Sequence, residues 1–562
     1  MTWTQAFVSA VVALTAIAFA RPARADEAAV DSPAAGARIA VDSEQQLIER
    51  REKRLGVLPA PPSPPAIEGP TLNPIDQFIV AGWSKASGGP SPQMCDDATF
   101  LRRVYLDVIG VIPSSTEVNR FLASSANQAK REKLVDQLLA RKSDYAAHWT
   151  PFWEDALASQ NVSAQGGILT RGNYRDWLLA SFEANRPYDV MVAELLDPTM
   201  PGRKSPETED VLGAKFTIEY VRNDDPTATL QTAANVAQVF LGTSMKCASC
   251  HDHFENEEWP QDRFLAFAGL FAQSDLEHVR CEMKSGRTVA AAFPFELPGA
   301  VADVPADLPG RLHMVAQAIT DPANPRFARS IVNRLWKRYL GLGLFEPADD
   351  FRLDVSPSHP QLLDWLAHDF VAHGCDLKHT IRLILTSRTY QLRYDPRLED
   401  HFDIGKKDQP RYYRSPVLRR LTAEQFLDSV RVATSGQFVP AERTFLDNRS
   451  TALGRALGRP ASRNEISTAR PDDAAVVQAL ELLNGPELHG MIYSNPLFTS
   501  AAGKQDPRRL IDRLFRAALS RPATTPEKYA GRAMLQAAES PDEGMQDVLW
   551  ALVCSPEFQY IK

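Results

Sequence analysis

Thr227-Ala228-Thr229-Leu230-Gln231-Thr232-Ala233-Ala234-Asn235-Val236-Ala237-Gln238-Val239-Phe240-Leu241 places Leu230, Ala233, Ala234, Ala237, Phe240 and Leu241 at intervals of three and four. That period draws one apolar stripe along an α-helix. The stripe leads into Lys246-Cys247-Ala248-Ser249-Cys250-His251-Asp252-His253, so the pattern predicts a helix that closes at this segment. Downstream, Pro260 suits the first turn of a second helix, whose Phe264, Phe267, Ala268 and Phe271 repeat the same kind of face. Two amphipathic helices are expected to bracket a short segment rich in Cys and His.

The same period recurs outward in both directions, and little of the chain reads as strand. Helices are predicted over Pro74 to Trp83, Phe100 to Ile109, Ser115 to Leu122, Lys133 to Leu139, Tyr145 to Leu157 and Tyr174 to Asn185. In Phe100 to Ile109 the apolar face is Leu101, Val104, Tyr105 and Val108, while Trp149, Phe152, Trp153 and Trp177 read as core. Residues 280 to 310 change character: Arg287-Thr288-Val289 and Phe293 to Leu297, set among Gly286, Pro294, Pro298 and Gly299, suggest a short hairpin or loop insertion. Helical patterning then resumes, with Phe327, Ile331, Leu335 and Tyr339 on one face, a capping-box spacing at Ser358-His359-Pro360-Gln361, and Leu377 to Tyr390 beyond it. More helices are predicted at Ala423 to Thr434, Ala474 to Leu483, Arg508 to Ala518, Pro526 to Ala538 and Met545 to Val553.

The expected fold class is therefore mainly α: two helical domains with a short β-hairpin or loop insertion between them. The boundaries are a signal peptide over 1–25, a charged segment and Pro-rich linker over 26–71, and a first helical domain over 72–280. A hairpin or loop connection over 281–322 and a second helical domain over 323–562 complete them. The linker rests on six prolines within Pro59 to Pro70, a semi-rigid spacer rather than core. At 562 residues, two or three packed units are expected.

Cys247-Ala248-Ser249-Cys250-His251 is the C-x-x-C-H pattern of covalent c-type haem attachment. At this chain's Cys and His frequencies it would arise by chance in roughly one unrelated chain in a thousand. Cys247 and Cys250 would form thioethers with the porphyrin, and His251 would be the proximal iron ligand. A zinc or iron site using Cys247, Cys250, His251 or His253, or a simple dithiol, stands as the alternative. Met200, Met245, His253, His278 and Met283 are candidates for a sixth ligand, each read more simply as core Met or surface His. Of the six cysteines, Cys95, Cys281, Cys375 and Cys554 remain for up to two disulfides or for buried free thiols. Glu346, Asp349, Asp350 and Asp354 form a carboxylate cluster with the residue types of Ca²⁺ or acid–base chemistry, though an acidic loop capping the next helix accounts for it more simply. Lys406-Lys407 and Arg419-Arg420 read as solvated faces or ion-pair partners.

With 62 basic and 70 acidic residues the net charge is −8, which gives no footprint for nucleic acid or anionic lipid. An apolar run from Ala6 to Ala20, followed by Ala23-Arg24-Ala25 before Asp26, reads as a secretory leader with its cleavage site. It is too short to span a bilayer, which needs about 20 apolar residues, so no stable membrane span is expected in the mature chain. The expected location is periplasmic, at the cell surface or secreted.

Several motifs resemble the planctomycete-type cytochrome c domain followed by its usual uncharacterised C-terminal partner domain. They are Asn73-Pro74-Ile75-Asp76-Gln77-Phe78-Ile79, Leu101-Arg102-Arg103-Val104-Tyr105-Leu106-Asp107, Tyr174-Arg175-Asp176-Trp177 and Asn185-Arg186-Pro187-Tyr188-Asp189. To these add Phe240-Leu241-Gly242 before the Cys/His segment, then Asn333-Arg334-Leu335-Trp336, Asp349-Asp350-Phe351-Arg352, Pro357-Ser358-His359-Pro360, Ser387-Arg388-Thr389-Tyr390 and Leu483-Asn484-Gly485-Pro486. The chain departs from the family where His253 is followed directly by Phe254 rather than by Pro-Phe. The chain is also read as carrying neither the further cytochrome domain nor the insertion that many members have. The resemblance implies an exported protein with one covalent haem c, and names no reaction. The function expected from motif and resemblance together is electron transfer or a haem-linked redox step with a redox partner protein or small-molecule substrate. The alternative is a non-redox envelope binding or scaffold protein with a structural Cys/His site, assisting polymer degradation.

Overall fold

The computed structural model describes residues 33–56, 58–86, 88–125, 127–162, 168–170, 174–200, 226–280, 283–297, 303–403, 406, 409–463, 465–470, 476–493 and 506–562. The leader-like run over 6–20 lies outside these residues. Among those described, the fold is mainly α, and the only strands form two-stranded antiparallel pairs. No described helix is long and apolar enough to cross a membrane.

The Asp97–Ile109 helix is central and is buried on every side from Phe100 to Ile109, polar residues included, rather than along the single apolar face its sequence suggests. The reason is that its charged residues have partners from far along the chain. Arg102 donates to the carbonyls of Ala518 (2.7 Å) and Phe558 (2.9 Å). Arg103 donates to those of Tyr390, Leu392 and Lys562. Asp107 accepts both Arg419 amino groups (2.7 and 2.8 Å) and the Tyr390 hydroxyl (2.7 Å). The strand Arg419–Arg420 in turn pairs with Tyr560–Ile561, so the C-terminal residues close over the N-terminal half.

A second buried carboxylate makes the same kind of join. Asp76 closes the capping box with Asn73 at the start of the Pro74–Trp83 helix. It also accepts the Arg388 and Thr389 amides (both 2.9 Å) and the Thr389 hydroxyl (2.8 Å). Trp149 and Trp153 are core, as expected, with Arg338 lying 4.6 Å over the Trp149 ring and 4.9 Å over that of Phe152. One continuous buried cluster runs from Ile75 to Ile561.

Two local expectations are corrected. The hairpin pairs Leu276–Arg280 with Met283–Val289, so its first strand begins before residue 280, and Phe293 to Leu297 form no strand. Ser358 does not cap the Pro360–Ala372 helix; its hydroxyl and amide both donate to the Leu344 carbonyl (3.1 and 2.8 Å).

A third knot joins the Lys142–Ala156 helix to the Ala423–Ser435 helix. Glu424 lies 2.6 Å from Arg470, 3.4 Å from Arg463 and 3.5 Å from Arg459, while Asp155 takes Arg463 and Arg470 at 2.6 Å each. Burial pushes the Glu424 carboxyl up, but Arg470, then Arg463 and Arg459, overcome it and hold it down at about 2. A carboxyl depressed from 4.5 to about 2 stabilises the fold fully above 4.5 and loses that contribution as pH falls towards 2. Glu424→Gln is therefore expected to cost about 3–5 kcal/mol at neutral pH, the usual penalty for leaving buried cations unpaired. The difference in urea midpoint between wild type and variant should narrow as pH falls through that window; a pH-independent difference would refute the assignment.

Candidate functional site

The Pro226–Leu241 helix ends one residue before Gly242, whose φ of +59° turns the chain out of the helix. The Cys/His segment is therefore not the helix end itself. It begins on a separate 3₁₀ turn, Lys246–Ser249, with Met245 and Ala248 buried as anchors. Side chains three apart eclipse on such a turn. Cys247 and Cys250 accordingly share a face, and both are exposed and unpaired.

His251 follows, exposed, with Nδ1 2.7 Å from the Asp252 carbonyl oxygen. A carbonyl can only accept, so Nδ1 carries the proton and the Nε2 lone pair is free. A carbonyl on Nδ1–H holds an imidazole in one tautomer and orientation, as it does for imidazoles that bind metals. The Phe254 ring, 83% exposed, sits 4.2 Å from that of His251. His253 behaves oppositely: its Nδ1 accepts the Glu255 and Asn256 amides (3.2 and 3.1 Å), which puts the proton on Nε2. It organises the loop and offers no lone pair, which removes it from the zinc and sixth-ligand sets in this tautomer. Asp252 accepts the Gln261 amide (2.8 Å) and so caps the Gln261–Gly269 helix, which packs against the first helix as the sequence suggests. The Gln261 side-chain amide ties the Ser249 carbonyl (3.1 Å) to the hairpin at Val279 (2.9 Å).

The loop is pinned from the second half of the chain. Phe351 donates its amide to the Gly242 carbonyl (2.7 Å). Asp350 accepts the Ser244 amide (3.4 Å), and Arg352 reaches Glu255 (3.0 Å). Arg326 donates to the Phe351 carbonyl (2.7 Å), Glu258 (2.6 Å) and Thr243 (3.5 Å), gripping the loop before and after the motif. The carboxylate cluster is thereby explained: Glu346 pairs with Lys337, Asp349 with Arg334 and Asp354 with Arg352. Burial raises the Asp350 carboxyl. Arg326 was not singled out from sequence, and its distance in sequence from the motif leaves no local signal for it.

Of the sixth-ligand candidates, Met245 is core, Met283 is exposed on the hairpin, and His278 lies 3.8 Å from Asp262. None is brought against His251 by a described contact. Cys95 and Cys375 are buried free thiols, and no disulfide occurs among the described cysteines; Cys281 and Lys407 lie outside the described residues. Lys406 pairs with Asp403 (3.2 Å), and Arg419 with Asp107.

Residues 74–276 match the family described as PSCyt2, protein of unknown function (DUF1549), and residues 310–444 match PSD1, protein of unknown function (DUF1553). Both parts of the sequence resemblance are thus matched. The PSCyt2 match contains the Cys/His loop, and the PSD1 match supplies Arg326 and the 349–352 segment that pins it. No curated protein and no solved structure matches the chain.

An added Cβ at Gly242 would lie 2.7 Å from the Phe351 ring, on a backbone with φ +59°. Gly242→Ala should therefore cost about 2–5 kcal/mol, from left-handed strain and overpacking together. Gly286→Ala, on the open hairpin with φ +75° and nothing within 4 Å, should cost only the backbone part. Urea denaturation of the two variants checks the difference; equal losses would show that the Phe351 contact does not constrain the loop.

Proposed function

We propose that this chain carries one covalent haem c, with Cys247 and Cys250 as thioether sites and His251 as proximal ligand, and serves one-electron transfer with a protein partner outside the cytoplasm. One observation carries the reading. Two exposed, unpaired thiols share one face of a 3₁₀ turn, and the following imidazole has its Nδ1–H fixed on a carbonyl, which leaves Nε2 free. The donor set fits the group, and the exposed Phe254 ring beside His251 offers it an apolar contact. A haem held there supplies reversible one-electron chemistry at iron.

The chain's own residues do the rest. Asp252 fixes the tautomer of His251 through its carbonyl and, through its carboxylate, the start of the next helix. Arg326, Asp350 and Phe351 hold the loop to a rigid frame. The surface position of the thiols favours exchange with a docking partner over chemistry in an enclosed cavity. Export rests on the leader-like run over 6–20 and agrees with the compartment in which such attachment is completed.

The test is expression of the full chain with and without c-type maturation machinery. With it, a covalent haem band should persist on a denaturing gel, and a reduced α-band should appear. Cys247→Ala/Cys250→Ala should lose the covalent band, and His251→Ala should shift the spectrum and potential. A chain that matures without covalent haem, and instead holds zinc that the double cysteine variant releases, would overturn the proposal.

A further inference from the structure

The Pro360–Ala372 and Leu377–Thr386 helices are joined through His373-Gly374-Cys375-Asp376. Gly374 and Cys375 both take positive φ (+75° and +54°), which reverses the chain within a single turn. Asp376 caps the second helix by accepting the His379 amide (3.1 Å). The reversal lays the imidazoles of His373 and His379 face to face, with centroids 3.8 Å apart and planes 14° from parallel.

Asp369, one turn before His373 on the same helix face, completes the group. One carboxylate oxygen is 3.2 Å from His373 Nδ1 and the other 2.9 Å from His379 Nε2. The three ligand atoms all lie within 4.8 Å of one another. A tetrahedral zinc centre with bonds of about 2.0–2.1 Å has ligand-to-ligand edges of about 3.3 Å, so the ligand atoms are already near that spacing, and the two stacked rings must turn so that both lone pairs, which lie in the ring planes, meet at one ion. Two imidazoles and one carboxylate suit zinc and its late first-row neighbours; calcium and magnesium call for oxygen ligands throughout. The C-terminal end of the first helix adds a favourable partial negative charge. His373 Nδ1 also contacts the Asp369 carbonyl (2.8 Å), so in the metal-free protein that nitrogen carries a proton, which a bound cation would displace.

We propose that Asp369, His373 and His379 bind one divalent cation of the zinc class, with solvent completing the coordination. The site is built on two helices of the second half of the chain and owes nothing to the Cys/His loop.

The experiment titrates full-length protein with Zn²⁺ against a chromophoric chelator. Wild type with its haem in place and the Cys247→Ala/Cys250→Ala variant should each take up one equivalent at this site. His373→Ala/His379→Ala should bind at least ten-fold more weakly, and Asp369→Asn should weaken binding. Far-UV circular dichroism checks that each variant folds. Independently of any variant, Zn²⁺ should protect His373 and His379 of the wild type from diethyl pyrocarbonate, mapped by mass spectrometry. Uptake abolished by the cysteine variant but kept by the histidine variant would overturn the proposal, as would equal modification of both histidines with and without zinc.

Discussion

The carboxylate of Asp107 is sunk in the core, and the structure depends on its being answered. An ionised group in such surroundings is costly unless it is both paired and hydrogen-bonded. Its two oxygens take Arg419 in a bidentate pair and the Tyr390 hydroxyl besides, all within 2.8 Å. Both partners come from the second half of the chain, so the central helix cannot be buried until that half has arrived. Asp76 imposes the same condition through Arg388 and Thr389, and Arg103 through the carbonyls of Tyr390, Leu392 and Lys562. Buried polar groups thus fix how the two helical stretches meet, while the surrounding apolar surface supplies most of the driving force.

This condition explains where the motifs of the family resemblance lie. Asp76, Asp107, Thr389 and Tyr390 belong to segments of different halves that touch one another, so each motif is half of a join. The same holds at the Cys/His loop, where Asp350, Phe351 and Arg326 hold Gly242, Ser244 and Glu258. A loop fixed at both shoulders keeps its side chains in place better than one hung from a single helix. The surface exposure of Cys247, Cys250 and His251 therefore coexists with a fixed backbone beneath them.

Helix positions were largely legible because period and caps are local. Pro74–Trp83 coincides with its predicted span, and most other predicted helices differ by a few residues at their starts, whereas Tyr188–Leu196 and Leu308–Ile319 fall outside the predicted helices, the second within the expected hairpin or loop connection. What the sequence concealed was anything whose cause lies far along the chain. Arg102, Arg103 and Asp107 read as the wet face of an amphipathic helix, because nothing nearby announces the carbonyls and the guanidinium that receive them. The hairpin was placed too late because Met283–Val289 is almost wholly exposed and so shows no alternation of burial. The Cys/His motif is visible in its residue types, but its separation from the preceding helix turns on one left-handed glycine, Gly242. His373 and His379 carried no signal at all, since they sit on opposite sides of a helix break and meet only through the reversal at Gly374 and Cys375.

The cysteines show how burial sorts chemistry from structure in this chain. A thiol acts as nucleophile or ligand through its thiolate, which needs both access and a thiol that is not pushed upward. Burial raises the Cys375 thiol well above its ordinary range, and neighbouring Asp189 adds to the effect against the opposing charge of Arg51. Burial likewise pushes Cys554 up to about 11. Cys95 is enclosed in the core beside the Arg131 guanidinium, which is occupied by the Cys95 carbonyl rather than its sulfur. Among the described cysteines, Cys247 and Cys250 alone are exposed, and they are the two that a 3₁₀ turn sets on one face. The fold buries Cys95 and Cys375, half-buries Cys554 and exposes this pair, so the residues that the motif marks are also the most accessible of the described thiols.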